Sequence, residues 1–181
     1  MLHIPIISSK TGFQKKSHRA SLYFKKYLEE NEIVTTEILD IENFNYLQQG
    51  ADSKKNIITD KKNQAERKIQ VSDGIIIVSP VCDGYYPESF KSIIKLLYED
   101  WRDTPIAIAT VSTGPFGRSQ LVITWRLMLW KIMATSIPAF RNFPKEIDPY
   151  DKNGNANNKL LADKHAAIFI NKLIHRINTV K

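Results

Sequence analysis

Few side chains in this sequence stand in a pattern that commits them to chemistry. Cys82, the only cysteine, lies in Ser79-Pro80-Val81-Cys82-Asp83-Gly84-Tyr85-Tyr86-Pro87, just after an apolar run. It reads either as a reactive thiol near a helix start or as a small buried filler at a strand end. Arg118 opens a helical pattern after Val111-Ser112-Thr113-Gly114-Pro115-Phe116-Gly117. A cation at a helix N-terminus opposes the macrodipole unless it meets an anion. His3, His18, His165 and His175 lack the spacing of metal ligands, so no metal site is expected. The sequence contains no Gly-x-Ser-x-Gly elbow, no phosphate loop of the Gly-x-x-x-x-Gly-Lys-Ser/Thr kind and no Gly-x-Gly-x-x-Gly.

Charge and composition narrow the classes. The 181 residues include 26 basic and 19 acidic ones, 26 − 19 = +7. The basic residues form short clusters, Lys15, Lys16 and Arg19 among them, and never a run of five. They read as a solvated surface or as a general attraction for anionic ligands; nucleic acid is an unlikely partner without a matching motif. The lone cysteine excludes an intrachain disulfide and suits a reducing compartment. Charged residues interrupt every apolar stretch, and Met1-Leu2-His3-Ile4-Pro5 is no secretory leader, so the expected location is the cytoplasm, away from membranes. The chain has only 7 glycines, where average usage would give roughly 13.

The elements that must carry these residues alternate. Ile4–Ser8 reads as a strand, although Pro5 argues against a central position in a sheet. Ser17 reads as the cap of a helix with Ala20, Tyr23, Phe24, Tyr27 and Leu28 on one face. Ile33–Ile41 is a second strand, 42–59 a connection and Lys61–Val71 a polar helix. Gly74–Ser79 is a continuous apolar strand, suited to a parallel sheet covered on both faces. A helix from Pro87 with Phe90, Ile93, Ile94, Leu97 and Trp101 inward, a strand Ile106–Val111 and a helix over 118–135 follow. That helix is apolar on most of its circumference, which predicts a subunit interface in a homodimer or tetramer. Ile137–Phe143 is a weak strand, Asp151–Asn155 a turn, and Ala162–Ile177 a closing amphipathic helix. One α/β domain over 1–181 is expected, its ligand at the carboxyl ends of the strands, on the loops 8–17, 80–87 and 112–118.

Taken in order, Ile4-Pro5-Ile6-Ile7, the Pro80-to-Pro87 segment, Ser112-Thr113-Gly114-Pro115-Phe116-Gly117 and Asp151-Lys152-Asn153-Gly154-Asn155 resemble the NADPH-dependent FMN reductase family, a flavodoxin-like group of quinone, azo and chromate reductases. The resemblance implies a three-layer sandwich on a five-stranded parallel sheet, order 2-1-3-4-5, and a tolerance of Pro5. It implies FMN as cofactor and NADPH or NADH as donor. It places the flavin phosphate on the first loop, where Lys10, Gly12, Ser17 and Arg19 fall, although the family's Gly-Thr-x-Arg-x-Gly-x-x-Ser keeps only its final serine, at Ser17. It lays the ring against Pro80, Val81, Cys82, Asp83 and Tyr86, where a Glu-Tyr-Asn centre has become Val-Cys-Asp. On the third loop it assigns Ser112, Thr113, Gly114, Phe116, Gly117 and Arg118, with Arg118 in place of a second glycine.

Two functions follow from these residues. One is an FMN-dependent NAD(P)H oxidoreductase passing electrons to a quinone, azo, metal or flavin acceptor, with no side chain needed as acid or base. The other is a flavodoxin-like module that has lost FMN and binds a partner or another anion. The departures at Lys10, Gly12, Val81, Cys82 and Arg118 motivate the second.

Overall fold

The computed structural model describes residues 1–9, 15–31, 34–41, 55–81, 85–96, 98–111, 117–143 and 149–180. In chain order its elements are β1 (Leu2–His3), β2 (Ile6–Ser8), α1 (Lys16–Glu30), β3 (Val34–Thr35), β4 (Ile38–Asp40), α2 (Lys55–Gln70), β5 (Ile75–Pro80) and α3 (Glu88–Leu96). A 3-10 turn at Glu99–Trp101, β6 (Pro105–Val111), α4 (Gly117–Lys131), β7 (Thr135–Phe143) and α5 (Lys159–Val180) complete it.

The main sheet runs β4-β2-β5-β6-β7, every pair parallel, and β1 pairs with β3 beside it. β1 and β2 are one strand interrupted at Ile4-Pro5, and β3 and β4 are another interrupted at Thr36-Glu37, so the order is the expected 2-1-3-4-5. Pro5 therefore stands in the strand that the ladder argument would have moved to an edge. Hydrogen bonding continues through the break: Ile4 N donates to Thr35 O at 2.9 Å, Ile6 N to Glu37 O at 2.8 Å, and Ile76 N to Pro5 O at 3.1 Å. The proline removes one donor on the β5 side and nothing else from the ladder.

Side-chain alternation sorts the sheet into two buried faces. Ile4, Ile6, Ile76, Val78, Ala107 and Ala109 meet α1 and α5. Ile7, Ile75, Ile77, Ile106 and Ile108 meet α2, α3 and α4. All six residues of β5 are buried, and each large apolar side chain among them contributes about 1.5–3 kcal/mol by leaving water. The small side chains of Ala107 and Ala109 lie in the same face as the rings of Phe24 and Phe169, whose centroids are 5.4 Å apart.

Several boundaries differ from the sequence reading. Ser17 lies inside the first turn of α1; the cap position belongs to Lys15, in left-handed backbone at φ 54°, with no side-chain cap bond. α2 begins at Lys55, six residues before Lys61, because polar helical residues show no apolar period to mark a start. Trp101 is fully buried as expected, but on the 3-10 turn after α3. α4 ends at Lys131; Met133 then takes φ 58° and reverses the chain into β7.

The segment after residue 148 locks onto α1. Asp151 Oδ1 accepts from the backbone N–H groups of Asn153 and Asn155, both at 2.8 Å, and these bonds hold its carboxyl below the usual range, the Asn155 bond most. Tyr150 stacks on Tyr23 with centroids 4.5 Å apart. Tyr23 donates its phenolic proton to Asp163 Oδ1 at 2.8 Å; burial first, then this bond, push its pKa well above the ordinary value. Gly154 closes the turn at φ +79°, where a Cβ would sit 2.5 Å from Leu22 Cβ and 2.8 Å from Leu22 carbonyl carbon. Gly154→Ala combines strain with a backbone clash and is expected to cost about 1–3 kcal/mol. Urea unfolding checks this, against a Lys152→Ala control expected to stay within about 0.5 kcal/mol.

Candidate flavin site

All six buried polar residues among the described ones, Ser8, Ser9, Ser17, Ser21, Ser79 and Thr110, lie at the carboxyl ends of the strands or in the first turns of α1. Elsewhere the double burial of the sheet leaves polar side chains without partners, so they collect where the strands stop. Ser8 Oγ is buried there with no hydrogen-bond partner among the described residues. The register sets the loops in order: Ser8 lies beside Val78, and Pro80 beside Val111. Val81 N donates to Val111 O at 2.9 Å, so the second and third loops leave the sheet side by side.

The start of α1 is built onto this end. Ser17 Oγ donates to Ser9 O at 2.9 Å, tying the first helical turn to the residue after β2. Ser21 Oγ donates in turn to Ser17 O at 2.9 Å. The first turn has no acidic residue, while Lys15, Lys16 and Arg19 stand in or beside it. The first turn of α4 also has none. Two helix starts without negative charge or a side-chain cap bond on α1 leave backbone N–H groups and dipole ends for an anion.

Under the second loop, Tyr86 lies against Trp125 of α4 with centroids 4.6 Å apart, and Phe90 meets the same indole edge-on at 5.1 Å. Trp125 is fully buried, and its Nε1 has no partner among the described residues. Burial, then the Glu88 charge, raise the Tyr86 phenol above its ordinary pKa, so it is neutral at physiological pH. The aromatic trio joins the end of the second loop to the helix that follows the third.

Of the residues expected at the site, Ser17, Arg19, Pro80, Val81 and Tyr86 are described, and Gly117 and Arg118 are placed by their backbone in the first turn of α4. Ser17, Pro80 and Val81 gather at the strand ends; Tyr86 lies at the far end of its loop, against α4. Lys10, Gly12, Cys82, Asp83, Ser112, Thr113, Gly114 and Phe116 lie outside the described residues. Sequence reasoning passed over Ser8, Ser9 and Trp125. Two serines closing an apolar strand were the available signal for the first pair; a tryptophan among apolar helix residues gave none.

The family model for NADPH-dependent FMN reductase matches residues 2–148. The chain belongs to the NADPH-dependent FMN reductase family. It is thus a flavin-dependent oxidoreductase with FMN as its cofactor and NAD(P)H as the family's electron donor. The fold is similar to that of the flavoenzyme NAD(P)H:(acceptor) oxidoreductase FerB from Paracoccus denitrificans, at TM-score 0.75 and 13% identity, covering 99% of this chain and 98% of that one. It is similar to an oxidoreductase from Corynebacterium diphtheriae, at TM-score 0.70 and 15% identity over 99% and 98%. It is also similar to the NADH:FMN oxidoreductase EMOB in its apo form, at TM-score 0.69 and 14% identity over 99% and 89%. No curated protein matches the sequence.

The described residues fit FMN. A basic, uncapped helix start suits its phosphate, and the unpartnered Ser8 hydroxyl lies buried at the same strand ends. Ser17→Ala removes the tie between α1 and Ser9 and is expected to cost about 1 kcal/mol of stability. FMN affinity falls with it by about tenfold, some 1.4 kcal/mol. Ser21→Ala, whose hydroxyl bonds within α1, leaves FMN affinity unchanged. Fluorescence titration with FMN and urea unfolding check both.

Proposed function

We propose that this chain is a single-domain FMN-dependent oxidoreductase that draws electrons from NADPH or NADH and passes them to a small acceptor: a quinone, an azo compound, a metal oxyanion or free flavin. The observation that carries this is the acid-free start of α1, pinned to the end of a central strand by the Ser17–Ser9 hydrogen bond, in a chain of this family. When bound, FMN supplies hydride acceptance and electron release.

The protein's part is binding and orientation. Lys10, Gly12, Ser17 and Arg19 would hold the phosphate, with Lys10 and Arg19 providing charge where the family uses an arginine fork. Pro80, Val81, Cys82, Asp83 and Tyr86 would line one side of the ring, mostly through backbone groups, which explains why a changed Glu-Tyr-Asn centre is tolerable. Ser112, Thr113, Gly114, Phe116, Gly117 and Arg118 would line the other and shape the acceptor pocket. No side chain is assigned as acid or base, and no metal site is proposed.

Purified protein titrated with FMN should quench flavin fluorescence to a stoichiometric end point, and NADPH or NADH should bleach the visible absorption of the bound flavin. A colourless protein without saturable FMN binding would instead favour the flavin-free, partner-binding alternative.

A homodimer is the second part of the reading. Ile123, Leu127 and Trp130 stand at i, i+4 and i+7 on the outer face of α4, exposed by 59%, 57% and 76%. Burying such a stripe against a second copy is the economical use of it. Sedimentation at micromolar concentration should give a dimer or tetramer, and Trp130→Glu should shift it to monomer without lowering the melting temperature of the monomeric fold. A monomeric native protein overturns this. No helix among the described residues is long and apolar enough to cross a membrane, and a cytoplasmic location suits the nicotinamide donor.

A further inference from the structure

The amino end of the sheet, away from the loops that would hold flavin, carries a cavity of its own. β7 is an edge strand, and its register slips: Ser136 pairs with Ile106 but Phe140 with Ile108, so β7 bulges between them. A bulge bends an edge strand and aims its side chains away from the ladder. A cavity of about 550 Å³ opens there, between Thr135, Ser136 and Ile137 on β7 and four residues of α5.

Those four are Asn171, Lys172, His175 and Arg176. Spaced three and four apart, they share one helical face. Lys172 and Arg176 are like charges at i, i+4, an arrangement that repels. By contrast, Lys25 pairs with Glu29, Lys68 with Glu37 and Lys159 with Glu30. Among the described residues Lys172, His175 and Arg176 have no ion pair, and no carboxylate lines the cavity. The helix dipole does not account for them, because its effect is confined to the last turn, and the last turn of α5 holds no basic residue.

We propose that this cavity binds a nucleotide-sized phosphate ester. Arg176 offers a planar fork for two phosphate oxygens, Lys172 a point charge, and Thr135 and Asn171 neutral donors. Ile137, 3% exposed, gives the uncharged part of the ligand an apolar floor. The volume lies within the range of small-molecule sites and is far too large for a bare phosphate. The site is distinct from the flavin loops, because β7 begins at the opposite end of the parallel sheet from the strand ends where those loops leave.

The test is calorimetric titration of the FMN-saturated protein with ADP at physiological ionic strength. One saturable site per chain is expected, with FMN retained. Lys172→Ala/Arg176→Ala should weaken ADP binding by at least about tenfold and leave FMN affinity unchanged; should it fold poorly, Thr135→Val with Asn171→Ala serves the same purpose. Adenosine should not bind. Absence of saturation up to millimolar ADP, displacement of FMN by ADP, or unchanged affinity in the folded variants would each overturn the proposal.

Discussion

A strand buried on both faces has nowhere to place a polar side chain except at its end. β5 and its neighbours obey that constraint throughout their length. Ser8, Ser9, Ser79 and Thr110 collect at the carboxyl ends, and parallel pairing puts those ends side by side. The chemistry of the family is therefore confined to one edge of the molecule by the demands of burying the sheet, before any cofactor is considered. Because helices return antiparallel to the strands, α1 and α4 begin at that same edge, bringing dipole ends and backbone donors with them.

Much of this was legible in the residues. Ile75–Val78 could hardly be anything but a doubly covered strand, and the alternation of strands and helices led directly to a parallel sheet between helices, while its order came from the family resemblance. What failed was local. Ser17 looked like a cap because its type favours that role, yet Lys15 adopts the left-handed turn and Ser17 uses its hydroxyl on a carbonyl outside the helix. Pro5 looked like an edge residue because a missing N–H is costly inside a ladder; the sheet simply leaves one position unpaired and keeps the bonds on either side. In both cases a residue's average preference yields to tertiary contacts, and for Pro5 the family resemblance had already implied tolerance. Of the site, the strand ends and the helix start were legible; the roles of Ser8 and Trp125 were not, since burial without a partner leaves no periodicity behind.

The surface divides the work differently. α4 shows one outer stripe of large apolar residues, while α5 shows Lys172 and Arg176, without an ion-pair partner among the described residues, on the face beside β7. Neither is needed to hold the fold, whose two cores close beneath them.

The lock between α1 and the chain's last segment has a consequence for how the molecule comes into being. The partners that settle on α1 are far away in sequence: Asp163 lies 140 residues beyond Tyr23, and Asn155 and Lys159 lie 129 beyond Lys26 and Glu30. During synthesis the part of one sheet face that α5 covers stays exposed until α5 leaves the ribosome. Contacts of such long range are slow to form, and exposed sheet surface invites association with other chains meanwhile. The helix that would hold the cofactor's phosphate is thus among the last parts of the protein to be secured, and acquisition of flavin becomes a late event in the life of each new chain.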